Sequence, residues 1–140
     1  MVKQIFVNFP VKDLTKTKAF FSQLGFTFNP QFTDENATCM IIGENMFAML
    51  LAEKFFKTFI QKDIADTKKT TEVITALQVD SKDEVDEMIK NALNAGGTEP
   101  RQAQDYGWMY NRAFEDLDGH LWELFFMDES KMPPEMKEKK

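Results

Sequence analysis

The order of elements along this chain repeats once, and the repeat constrains the fold more than any other feature of the sequence. Residues 3–11 alternate Ile5, Val7, Phe9 and Val11 against Phe6, Asn8 and Pro10, the period-two pattern of a strand covered at least in part on both faces. Asp13 is placed to cap a helix that carries Leu14, Phe20, Phe21 and Leu24 on one face, and Gly25 to end it in a left-handed conformation. Three strands are expected next, over 26–32, 37–42 and 45–52, divided by the polar turns 33–36 and 43–44. A short amphipathic helix around 53–61 and a polar connection over 62–70 close the first round.

The second round begins with a strand over 71–80. Ser81 and Glu84 form an S-x-x-E capping box, and Val85, Met88, Ile89, Ala92 and Leu93 keep a helical apolar stripe until Gly96-Gly97 stops it. Strands follow over 98–103, 109–115 and 120–127, the last two joined by the turn Asp116-Leu117-Asp118-Gly119. Val11-Lys12-Asp13 matches Val79-Asp80-Ser81, Leu24-Gly25 matches Ala95-Gly96, and Asn45-Met46-Phe47-Ala48-Met49-Leu50 matches Gly119-His120-Leu121-Trp122-Glu123-Leu124, at offsets drifting from about 68 to about 74 residues, as a weak repeat with small insertions does. The expected fold is α+β: two βαβββ modules, over about 3–61 and about 71–127, in one domain spanning 1–140. Four strands with one crossover helix leave a sheet face uncovered, so the two modules are expected to close such faces around a shared cleft. The charged tail over 128–140, with Pro133-Pro134, reads as a frayed end or as an arm that contacts a partner.

Composition narrows the function. An apolar content of 43% in 140 residues supports one core without disulfides or structural metal. Cys39 is the single cysteine, which excludes an intramolecular bridge and any C-x-x-C chemistry and suits a reducing compartment. A net charge of −6 argues against a nucleic-acid partner, since such binding neutralises phosphates with clustered Lys and Arg. The opening Met1-Val2-Lys3-Gln4-Ile5-Phe6 lacks a signal-peptide apolar region and no run reaches the roughly 18 apolar residues of a membrane span, so a cytoplasmic location away from membranes is expected. With His120 as the single histidine, one chain cannot build a site from two or three imidazoles. Neither a Ser/His/Asp triad motif nor a G-x-x-x-x-G-K-[ST] phosphate loop is visible.

Three stretches carry a family resemblance: Ile5-Phe6-Val7-Asn8-Phe9-Pro10-Val11-Lys12-Asp13-Leu14, then Phe20-Phe21-x-x-Leu24-Gly25-Phe26, and Phe114-Glu115-Asp116-Leu117-Asp118-Gly119-His120-Leu121-Trp122-Glu123-Leu124. Together they resemble the glyoxalase/bleomycin-resistance/extradiol-dioxygenase (vicinal oxygen chelate) superfamily over about residues 3–127, the closing D-x-D-G-x-x-x-E-L being the most specific motif. The resemblance implies paired βαβββ modules, a homodimer, and a cleft that in the enzymes holds one divalent metal. It also implies where metal ligands would stand. The first-strand histidine, seven residues before Asp13, is replaced by Phe6; the matching position of the second module is Ile74; the carboxylate closing the first module is Met49. Glu123 alone remains.

One carboxylate is a poor site for Zn, Ni or Fe, which take several protein ligands in constrained geometry. His120 does not complete it, because residues three apart on a strand face opposite ways. The expected cleft lining is Phe6, Asn8, Phe47, Met49, Ile74, Ala76, Leu121, Glu123 and Phe125, apolar with few polar groups. It fits a small apolar or aromatic molecule oriented by Glu123 and Asn8, or else these residues are plain core. A carboxylate among Phe, Met and Leu loses hydration, so Glu123 is either a functional group or half of a structural pair with Arg112 or Tyr110. The segment from Arg101 to Arg112 holds both tyrosines and Trp108, and Tyr110 and Arg112 either border the cleft or pack on a helix. Asp116-x-Asp118-Gly119 lacks the remaining ligands of a calcium loop and reads as a hairpin turn. The expectation is a metal-independent small-molecule-binding protein of sequestration or resistance type, with no cofactor and Glu123 as the one catalytic candidate. The competing expectation is a metal-dependent lyase or dioxygenase with ligands from non-standard positions, and a third is a structural dimer without ligand.

Overall fold

A computed structural model describes residues 1–137, so the final residues of the charged tail expected over 128–140 lie outside the described residues. The chain divides into two compact units, Met1–Thr70 and Thr71–Lys140. The first runs β1 (Ile5–Val11), α1 (Leu14–Gln23), β2 (Thr27–Asn29), β3 (Ala37–Gly43), β4 (Met46–Ala52) and the short α2 (Glu53–Phe56). The second runs β5 (Ile74–Gln78), α3 (Lys82–Asn94), β6 (Gln104–Asp105), β7 (Met109–Glu115), β8 (Leu121–Met127) and the single turn α4 (Pro134–Lys137). Each unit is a four-stranded mixed sheet, ordered β1-β4-β3-β2 and β5-β8-β7-β6. In each, the first strand pairs in parallel with the last and the remaining pairs are antiparallel. This is the α+β pair of βαβββ modules that the repeat predicts. No helix among the described residues is long and apolar enough to cross a membrane.

Both long helices start and stop through local chemistry visible in the sequence. Asp13 accepts from the Lys16 N–H, and Ser81 Oγ accepts from the Glu84 N–H at 3.0 Å while Glu84 Oε1 accepts from the Asp80 N–H at 3.1 Å. At the far ends Gly25 and Gly96 hold φ of +101° and +108°, values that side chains rarely adopt. The turn lets Phe26 and Gly97 donate back to the Phe21 and Ala92 carbonyls, so orphan groups at both helix ends are satisfied in the same way. α1 buries Thr17, Phe20 and Phe21 against β3 and β4; α3 buries Val85, Ile89 and Ala92 against β7 and β8, whereas Leu93 of the expected stripe is exposed.

The strand expected over 71–80 is confined to Ile74–Gln78, and two others depart further from expectation. The strand over 26–32 stops at Asn29, because Pro30 has no N–H and opens a 3-10 turn, Pro30–Phe32, whose Gln31 N–H donates to Asn29 Oδ1. The strand over 98–103 is absent: Thr98 bridges Glu115, the chain leaves the sheet, and pairing resumes only at Gln104 and Asp105. Pro100 removes a ladder donor there, and the flanking Glu99 and Arg101 are drawn into side-chain ion pairs.

The β7–β8 hairpin is tied by one buried carboxylate. Asp116 Oδ1 accepts from the Asp118 and His120 N–H groups, each at 3.0 Å, and Oδ2 accepts from Trp122 Nε1 at 3.0 Å. Asp116 therefore serves the hairpin, and His120 is buried beside it. Burial pushes the Asp116 carboxyl above its ordinary 3.8, against the opposing pull of His120 and the three N–H donors. Asp116→Ala strands those donors in the interior and is expected to cost on the order of 3 kcal/mol in denaturant melts, whereas a loss below about 1 kcal/mol contradicts this role. Because the folded carboxyl holds its proton more tightly than the unfolded one, the wild type should lose stability relative to Asp116→Asn as pH rises through the raised value.

Candidate functional site

The strand registers decide which side chains share a face. In the second sheet Ala76 pairs with Glu123, Ala113 with Glu123 from the other side, and Asn111 with Phe125. The face away from α3 therefore carries Ile74, Ala76, Leu121, Glu123 and Phe125 together with Asn111 and Ala113. Ile74 stands 56% exposed there. Glu123 is held by Arg101, whose Nη2 donates to Oε2 at 2.6 Å, with the side chains 32% and 24% exposed. Ala113 is fully buried and directly opposite Glu123 in the register. At this degree of exposure the pair contributes about 1 kcal/mol to stability. What it secures is a fixed carboxylate on an otherwise apolar strand.

Tyr110 and Arg112 lie on the opposite face. Their neighbours in register are Phe126 and Leu124, and both side chains reach back to α3: Tyr110 Oη donates to Asp86 Oδ1 at 2.6 Å and Arg112 Nη1 donates to the same oxygen at 2.9 Å. Arg112 also binds Glu99 through two hydrogen bonds of 2.8 Å, and this pairing holds its guanidinium above its ordinary pKa. The pairing partner of Glu123 is thus Arg101, and Tyr110 and Arg112 serve helix packing. An open depression of about 520 Å³ lies at this edge, lined by Glu99, Pro100, Arg101, Gln102, Ala103 and Arg112. Both arginines in it are already engaged by carboxylates.

In the first sheet Phe6 pairs with Phe47 and Asn8 with Met49, so these four residues share the face away from α1. Phe6 and Phe47 stack with ring centroids 4.7 Å apart, and Phe6 remains 41% exposed. Asn8 Nδ2 donates to the Phe6 carbonyl at 3.3 Å and so turns part of its polar capacity back on its own strand.

The metal implied by the resemblance does not fit the residues present. Phe6, Met49 and Ile74 supply no donor atom suited to a hard or borderline cation, and one oxygen of Glu123 is committed to a guanidinium. Among the described residues no group of three His, Cys, Asp or Glu side chains could hold a metal ion.

Alternation within β7 separates Asn111 and Ala113 from Tyr110 and Arg112, and this parity was the signal for Asn111 that sequence reasoning passed over. The reach of Arg101 to Glu123 had no such signal, because it crosses from an irregular segment to a strand 22 residues away.

Comparison with known proteins agrees with this architecture. The family described as Bleomycin resistance protein-like N-terminal matches residues 3–43. No curated protein matches the chain in sequence. Among solved structures, the hypothetical protein SA1046 from S. aureus superposes with a TM-score of 0.77 at 29% identity, covering 90% of this chain and 95% of that one. A glyoxalase-related enzyme from Fulvimarina pelagi gives 0.74 at 18% identity, covering 89% and 88%. The fosfomycin resistance protein FosX from Listeria monocytogenes gives 0.65 at 19% identity, covering 98% of each chain. The chain is therefore similar to the bleomycin resistance protein-like family over residues 3–43, and it shares its pair of βαβββ modules with solved proteins of the glyoxalase/bleomycin resistance/dioxygenase type.

Proposed function

We propose that the chain binds a small apolar or aromatic molecule without a metal, on the helix-free face of its second sheet, with the Arg101–Glu123 pair as polar anchor. The observation that carries this reading is the pairing itself: the one carboxylate left at a metal-ligand position is neutralised by a guanidinium at 2.6 Å. A carboxylate paired in this way still has an oxygen able to accept hydrogen bonds on an apolar face. Ile74, Leu121 and Phe125 around it supply surface whose burial yields about 25 cal/mol per Å². The role attached to such binding is sequestration or resistance, a role in keeping with the name of the fosfomycin resistance protein that shares the fold. The protein acts in the cytoplasm as a homodimer on this reading.

Purified protein is expected to carry well under one metal ion per chain by elemental mass spectrometry, and dialysis against a chelator should leave its melting temperature unchanged. A chelator-induced fall of several degrees contradicts the metal-free reading. A second expectation concerns the anchor. Glu123→Gln keeps an acceptor for Arg101 but removes the charge, so it should cost about 1 kcal/mol of stability and weaken binding of aromatic hits from a thermal-shift screen about ten-fold. A stability loss near 3 kcal/mol with unaltered affinity would assign Glu123 to structure alone.

A further inference from the structure

Among the described residues, one buried side-chain polar atom has no hydrogen-bond partner: Asn111 Oδ1. Asn111 is 3% exposed and lies in mid-strand, so neither solvent nor the β7 ladder serves its amide oxygen. A buried acceptor left unpaired carries a penalty comparable to a lost hydrogen bond, and native interiors rarely retain one without a reason. Its position supplies the reason. Asn111 is opposite Phe125 and diagonal to Glu123 on the face that bears the anchor, a separation of about 7–8 Å between backbone positions that small side chains and one ligand can span.

Resting on the binding reading above, we propose that Asn111 is a specificity-determining residue that accepts a hydrogen bond from an N–H or O–H donor of an aromatic ligand. Glu123 Oε2 is taken by Arg101, which leaves Oε1 to receive a second donor of the same ligand. Two acceptors on an apolar face select a neutral molecule with two donors, of which an aryl primary carboxamide is the simplest. The broad χ2 well of asparagine allows Oδ1 to turn toward such a donor without moving the strand. Apolar compounds that lack donors leave Oδ1 unpaired and bind more weakly, which is how a site built around an unserved polar group discriminates.

The test uses benzamide and N,N-dimethylbenzamide, which differ in the N–H donors, titrated into the ¹⁵N-labelled wild-type chain and into Asn111→Leu. Benzamide is expected to shift the Asn111 side-chain amide signals together with the backbone signals of Glu123 and Phe125, and to bind about ten-fold more tightly than its dimethyl analogue. In Asn111→Leu that preference should vanish, and removal of the unpaired Oδ1 relieves its desolvation in the ligand-free fold. The wild-type comparison needs no variant and stands if Asn111→Leu does not fold. Equal binding of the two compounds on the Glu123 face overturns the role of Asn111 and leaves the binding reading standing. Absence of any shift on that face overturns both for this ligand class. A destabilised Asn111→Leu that binds benzamide with wild-type affinity shows an internal partner for Oδ1 and also overturns the role.

Discussion

A four-stranded sheet with a single crossover helix can bury only one of its faces under that helix, and the face left over is where the Arg101–Glu123 pair stands. In each unit the helix covers buried strand positions, Phe114, Trp122 and Leu124 in the second and Ala48, Leu50 and Met40 beneath Phe20 and Phe21 of α1 in the first. The opposite positions are packed in part, with Cys39, Asn111 and Ala113 buried, and open in part, with Phe6 and Ile74 exposed. They hold a stacked phenylalanine pair with one ring exposed, an ion pair, and an asparagine.

That division lets the residue types on the helix-free faces vary while the fold remains. Phe6, Met49 and Ile74 stand on faces away from the helices, so substitution there does not disturb the packing of α1 or α3. A lone carboxylate would have been left as an uncompensated charge on an apolar surface. Arg101 removes that cost by pairing with Glu123 from a stretch of chain, 99–103, that has left the β ladder. The irregular segment that interrupts the expected strand is therefore what delivers the counter-charge.

Much of this was legible in the sequence because the determinants are local. The cap residues Asp13 and Ser81, the stops at Gly25 and Gly96, and the hairpin at Asp116 to Gly119 act within a few residues, and alternation along each strand separated Phe6 from Val7 and Glu123 from Trp122. What alternation does not encode is the phase of one strand against its neighbour. The aromatic character of Tyr110 and the charge of Arg112 suggested a ligand face, yet the register of β7 turns both toward Asp86 of α3. Nor does sequence show which arginine meets Glu123, or that Asn111 is left without a partner, since both depend on contacts between segments far apart in the chain.

The central claim is that Glu123 is committed to Arg101. A double-mutant cycle on the stability of the whole chain, with Arg101→Met, Glu123→Gln and the two combined, measures that commitment directly. The account predicts a favourable coupling of about 1 kcal/mol between the two positions, the scale of a part-exposed pair with good geometry. A coupling indistinguishable from zero would contradict it, for Glu123 would then stand on the sheet with no fixed partner and its carboxylate would be open to a cation.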